Sequence, residues 1–168
     1  MRLVVVGLGS ELMGDDSACL KVIDMLSKTS YRFVDFKKCC STGFEIMESI
    51  EGYDSAIILD TICTGRFNKG DIVKIDPRQI QFSRRISSFH DFDLMTSIEL
   101  GRSLGLKIPV DIEIYGIEIE DQIEFKEEIS EEVHVAVKKL AEMISNQLEK
   151  IEILQDKGFK LTGGKTDG

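Results

Sequence analysis

The chain has 168 residues, 42% of them hydrophobic, and a formal net charge of -9 at pH 7. That length suits one ordinary domain with a real core. The acidic balance argues against nucleic acid or an anionic membrane as a main partner, and no apolar run approaches the roughly 20 residues of a membrane span.

The opening Met1-Arg2-Leu3-Val4 is strand-like and reaches glycine within a few residues, so no signal peptide is expected. Residues 3–6 form a short apolar, β-branched run of the kind found in buried parallel strands. Gly7, Gly9 and Gly14 loosen the backbone, and residues 17–27 then carry Cys19-Leu20, Val22-Ile23 and Leu26 at helical spacing. Residues 31–36 read as a second strand and residues 42–50 as a second helix ending near Gly52. Residues 55–60, Ser-Ala-Ile-Ile-Leu-Asp, are a third strand that ends in a carboxylate. Residues 71–75 are a fourth, stopped by Asp76-Pro77. A helix over 91–104, a strand over 110–115 and a long amphipathic helix over 129–148 follow. There is no internal repeat.

This order predicts an α/β doubly wound fold in three layers: a twisted, mainly parallel sheet of about five strands with helices on both faces. One link breaks the parallel rule. Only about ten residues, 61–70, separate strands three and four, and a parallel crossover needs about a dozen or more. Strand four is therefore expected to run antiparallel to strand three. Residues 1–152 are expected to form the single domain and 153–168 a polar, disordered tail.

The segment Leu3-Val-Val-Val-Gly-Leu-Gly-Ser-Glu-Leu-Met-Gly-Asp-Asp16 is a strand, a glycine-rich turn and a helix start. Many proteins seat phosphate at such a junction, because the helix N-terminus is electropositive. Here Glu11, Asp15 and Asp16 stand there, and carboxylates repel phosphate and attract a cation. In an open α/β sheet, ligands collect beyond the carboxyl ends of the strands where strand order switches. A 2-1-3 order would set Asp16, after strand one, across that crevice from Asp60, at the end of strand three. His90, in the Ser87-Ser-Phe-His-Asp-Phe loop, would need only that loop to fold over the same end. Two carboxylates and an imidazole suit a divalent cation with water in the remaining positions.

Plainer readings stand beside this one. Asp15 or Asp16 could cap the first helix, and Asp60 could simply start a turn. His134 lies off the apolar stripe of the long helix and should face solvent. Cys19, Cys39, Cys40 and Cys63 contain no CxxC pair, so reduced thiols are expected in place of a zinc knuckle or a disulfide framework. Cys63, three residues after Asp60, reads as an idle thiol more readily than as a soft ligand. No GxSxG elbow is present, and Leu12 occupies the place of the third glycine in a dinucleotide fingerprint.

Gly7-Leu-Gly-Ser-Glu-Leu-Met-Gly-Asp-Asp16, then Leu59-Asp60, His90 and Tyr115-Gly-Ile-Glu118 together resemble the hydrogenase maturation endopeptidases, over about residues 1–148. The resemblance implies a cytoplasmic enzyme, favoured as a monomer, that removes the C-terminal peptide of a nickel–iron hydrogenase large-subunit precursor after nickel insertion. It carries the family's metal-contacting acid onto Asp16, its strand-end Asp onto Asp60 and its loop His onto His90. Nickel, held by the substrate, would be read by these three, with Asp15 or Glu11 as an auxiliary acid or base. The chain departs from the family at Ser10, where Asn is usual, and at Ser17-Ala18-Cys19, where glycines are usual; that puts substrate identity in question more than the metal site. Two alternatives remain open: a nucleotide- or dinucleotide-binding protein using Asp35 as the ribose acid, and a non-catalytic metal-binding maturation partner.

Overall fold

In β1 (Leu3–Leu8) every residue is buried, and alternation sends successive side chains to opposite faces. Leu3 and Val5 join one core cluster, and Val4, Val6 and Leu8 the other. β3 (Ser55–Ile62) divides likewise, with Ile57 and Leu59 on the first face and Ala56 and Ile58 on the second. A strand buried on both faces must sit in the middle of a sheet covered twice. The computed structural model describes residues 1–40, 43–76, 91–120 and 128–156.

The remaining elements are a 3₁₀ turn (Gly14–Ser17), α1 (Ala18–Leu26), β2 (Val34–Cys39), α2 (Gly43–Ile50), β4 (Ile72–Ile75), α3 (Asp91–Ser103), β5 (Asp111–Glu118) and α4 (Glu131–Asp156). Strand order is β2-β1-β3-β5-β4. β2, β1, β3 and β5 are parallel, and β4 pairs antiparallel with β5. α1 and α4 supply one core cluster, through residues such as Cys19, Ile23, Val133, Leu140 and Ile144. α2 supplies Ile46, Met47 and Ile50 to the other, and α3 supplies Ile98. Each fully buried Leu, Ile or Val contributes about 1.5–3 kcal/mol relative to exposure, so the two faces together hold the layers.

The expected architecture is the observed one, with shifts at element ends. The second strand lies at Val34–Cys39, three residues later than the aromatic run indicated. Its position is set by pairing with β1, Leu3 opposite Val34 through Leu8 opposite Cys39. Tyr31 belongs instead to the packing under α4, where its hydroxyl lies 3.0 Å from Ser145 Oγ. Lys37 and Lys38 disguised the strand's second half, and an edge strand tolerates such residues. Strand four does run opposite to strand three, but its partner is β5, which lies between them. β5 starts after Val110, which is 93% exposed. The last helix continues to Asp156, past the expected tail boundary, and residues 157–168 lie outside the described ones.

Candidate functional site at the carboxyl edge of the sheet

β1 is followed to one side by α1 and β2, and the chain then crosses to β3 on the other side. The carboxyl ends of β1 and β3 therefore flank the switch point, where an α/β sheet opens a crevice. Gly9 begins the turn there with φ +143, and a Cβ at this position would strike the Asp16 carbonyl oxygen. Only glycine fits, because the turn is folded back onto the residue that carries the candidate ligand. The Gly9 amide donates to the Cys39 carbonyl at 3.2 Å, which ties the turn to the end of β2.

The 3₁₀ turn sends its two acidic side chains to different partners. Asp16 accepts from the Ser10 amide at Oδ2 (2.8 Å) and from the Thr61 hydroxyl at Oδ1 (2.7 Å). Asp15 is fully buried and accepts from the Ser130 amide (2.6 Å) and the Ser130 hydroxyl (3.0 Å), with Lys69 Nζ at 3.0 Å. The hydrogen bond to Asp15 is the main influence that holds the Lys69 ammonium above its usual pKa. Neither aspartate caps the helix: the cap positions Met13 and Ser17 make no side-chain capping bond. Asp15, entered above as an auxiliary acid or base, is bonded to partly buried partners at the start of α4 and in the β3–β4 loop. The departures at Ser10 and residues 17–19 are locally harmless. Ser10 serves Asp16 through its backbone, and Ser17 and Ala18 hold ordinary helical φ of -76 and -53.

Asp60 is 2% exposed and lies two residues before the end of β3, opposite Gly116 of β5. The expectation that the strand ends at Asp60 is thus corrected: pairing with β5 extends it to Ile62. Its Oδ1 accepts from the Thr61 amide at 2.8 Å. Thr61 therefore holds both carboxylates, Asp60 through its amide and Asp16 through its hydroxyl. Both carboxylates act on a third residue. The buried Cys19 thiol is pushed well above the usual thiol pKa, first by burial, then by the charges of Asp60 and Asp16. A buried thiol of that kind is protonated and inert.

The loop after β3 is fastened from β5. Glu118, 2% exposed, accepts from the Thr64 amide (2.8 Å), the Thr64 hydroxyl (2.8 Å) and the Gly65 amide (2.7 Å). The Gly70 amide donates to the Glu118 carbonyl at 2.8 Å, and at φ +86 a Cβ on Gly70 would meet the Glu132 carbonyl oxygen at 2.7 Å. The sequence reading missed Thr61, Lys69 and Ser130 as partners of the acidic residues. It quoted Glu118 without a role.

His90 lies outside the described residues. α3 begins at the next residue and precedes β5. His134 is exposed, as expected, and Cys63 is half-buried. Asp35 sits at the start of β2, opposite Val4, where it accepts from Arg2 at 3.0 Å and Tyr53 at 2.7 Å. The register of β2 puts Asp35 at the strand's amino end, away from the switch-point crevice, which removes the ribose-binding argument. Among the described residues no group of three or more His, Cys, Asp or Glu could hold a metal ion. Asp16 and Asp60 offer hard oxygen donors, and each Asp16 oxygen keeps a lone pair beyond its hydrogen bond.

The fold has solved counterparts. The hydrogenase maturating endopeptidase HybD from E. coli is 20% identical and superposes with a TM-score of 0.75 over 89% of this chain and 93% of that one. The [NiFe] hydrogenase maturation protease HybD from Thermococcus kodakarensis is 23% identical, with a TM-score of 0.70 over 88% of this chain and 99% of that one. A hydrogenase 2 maturation peptidase from a Thaumarchaeota archaeon is 23% identical, with a TM-score of 0.61 over 95% and 100%. No curated protein matches the sequence. The family model HycI, hydrogenase maturation protease, matches residues 33–147, more than half of the chain. The chain belongs to the hydrogenase maturation proteases and is a hydrolase.

Proposed function

We propose that this protease removes the C-terminal peptide of a nickel–iron hydrogenase large-subunit precursor once nickel is in place, and that Asp16, Asp60 and His90 read that nickel. The observation that carries this reading is the contact of Asp16, from the turn after β1, and Asp60, in β3, with the single residue Thr61. Solved proteins of similar fold include hydrogenase maturation proteases, among them a [NiFe] hydrogenase maturation protease from Thermococcus kodakarensis.

The donor set explains why the metal would be the substrate's. Two carboxylates and one imidazole leave coordination positions open and include no thiolate to hold nickel tightly. The precursor would supply the remaining ligands. An empty precursor forfeits the metal-mediated contacts and binds more weakly, which gives selectivity. Nickel bound there could also polarise the scissile carbonyl. Asp16, held by the Ser10 amide and the Thr61 hydroxyl, presents a carboxylate of fixed orientation to that ion. Asp15, fully buried and bonded to Ser130 and Lys69, acts in this reading as an anchor of the turn. Action in the cytoplasm as a monomer belongs to the same reading; among the described residues no helix is long and apolar enough to cross a membrane.

The test compares nickel-loaded and metal-free precursor at equal protease concentration, following release of the C-terminal peptide. Cleavage of the loaded form alone is expected. Equal cleavage of both forms would show that the three residues do not read the metal.

A further inference from the structure

Resting on that reading of Asp16 and Asp60, we infer that Thr61 is the positioning residue that sets the two carboxylates for metal recognition. Its amide fixes Asp60 Oδ1 at 2.8 Å, and its hydroxyl fixes Asp16 Oδ1 at 2.7 Å. The second bond crosses from β3 to the turn after β1, so one side chain joins the two banks of the crevice. Its length is that of a charge-assisted O–H···O⁻ bond, about twice as strong as a neutral one.

Three features suit Thr61 to this task. It is 3% exposed, so water competes poorly for its hydroxyl. It is β-branched, and so stiff at χ1, which limits the directions in which the hydroxyl points. It also lies in β3, paired through Ile117 of β5, so its backbone is held by the sheet rather than by a loop. The Ser10 amide at Asp16 Oδ2 completes the clamp. Asp16 has a donor on each oxygen, and its carboxylate plane is fixed before substrate arrives. Ligands fixed in advance lose little freedom when the ion binds, and partners of this kind are worth about 10–100-fold in metal affinity or activity. A cleft that lost this hydroxyl would keep Asp60 on the Thr61 amide but leave Asp16 with the Ser10 amide alone, free to turn about that bond.

Thr61→Val removes the hydroxyl and keeps the branched shape, Thr61→Ala removes it without added bulk, and Thr61→Ser restores a hydroxyl. The full chain would be assayed on nickel-loaded precursor, with Ni²⁺ alone titrated by calorimetry as a second readout. Thr61→Val is expected to raise KM about 10–100-fold and to weaken Ni²⁺ binding by a similar factor, with kcat within about threefold. Thr61→Ser should return both to within about threefold of the parent. If Thr61→Val does not fold, Thr61→Ala carries the same expectation. Parent-like KM and Ni²⁺ affinity in a folded hydroxyl-less variant would overturn the role, as would Thr61→Ser behaving like Thr61→Val. Asp16→Asn in the same assays separates the two levels. If Asp16→Asn is fully active, the metal-reading proposal itself has failed; if it is inactive while Thr61→Val is normal, only the role of Thr61 has failed.

Discussion

Asp15 and Ser130 lie 115 residues apart in the chain, and Asp15 accepts both the amide and the hydroxyl of Ser130, at 2.6 and 3.0 Å. This contact fastens the turn after β1 to the start of α4, with Lys69 as counter-ion. Asp15→Ala would leave these donors without their acceptor and Lys69 without its nearest charge. Removing one partner of a buried charge pair costs about 3–5 kcal/mol, and the partial exposure of Lys69 and Ser130 makes that an upper bound here. Urea unfolding should show a loss of that order for Asp15→Ala. A parent-like midpoint combined with abolished processing would instead mark Asp15 as chemical.

The neighbouring carboxylate should behave in the opposite way. Asp16→Ala, Asp60→Asn and His90→Ala are expected to lower precursor processing at least about 10–100-fold, the range for disrupted metal contacts. Asp16 is only partly buried, and Asp60→Asn conserves volume, so melting temperatures should stay within about 4 °C, equivalent to about 1 kcal/mol in a chain of this size. Thermal scans run beside the processing assay decide the matter: collapse of all three variants would assign them structural roles.

Glu118 predicts a local effect. Glu118→Ala strips the acceptor from the Thr64 and Gly65 amides and the Thr64 hydroxyl. Each donor left unsatisfied costs about 1–3 kcal/mol unless water reaches it. Hydrogen exchange at Thr64 and Gly65 should therefore accelerate at least about tenfold while the β1 amides keep their protection. Unchanged exchange at those two amides would show that Glu118 does not hold the loop.

Cys19 gives a pH dependence with a definite sign. Burial, then Asp60 and Asp16, raise its pKa above the usual 9.0, so the folded state favours the neutral thiol. The resulting stability is fully present below about pH 9 and is lost as pH rises through the folded value. Tyr53, Tyr115 and Lys69 are also shifted upward and act with the same sign. The difference between Cys19→Ala and the parent isolates the thiol, and the variant's alkaline limb should be flatter. At pH 8, iodoacetamide should label exposed Cys40 and spare Cys19 until unfolding. Rapid labelling of Cys19 in the folded chain would contradict the burial argument.

The alternation of elements and the junction of strand, glycine turn and acidic pair were legible in the sequence alone, whereas the 2-1-3 order, supposed there, is fixed by the pairing of β1 with β2 and β3. The first two rest on local physics: apolar runs of β-branched residues, helical spacing, and the conformational freedom of Gly9. Direction of strand four was also legible, because nine residues between Ile62 and Ile72 are too few for a parallel crossover. Register was not. The aromatic run at 31–36 reads as strand in isolation, and only pairing of β2 with β1 moves the strand to Val34–Cys39 and puts Asp35 at its beginning. The division of labour between Asp15 and Asp16 was equally hidden. Two adjacent identical residues carry the same local signal, and which one is buried depends on partners at Ser130 and Thr61, 115 and 45 residues away in sequence. Side-chain hydrogen bonds over such distances follow no sequence period, so only the folded chain decided which aspartate anchors the turn and which faces the crevice.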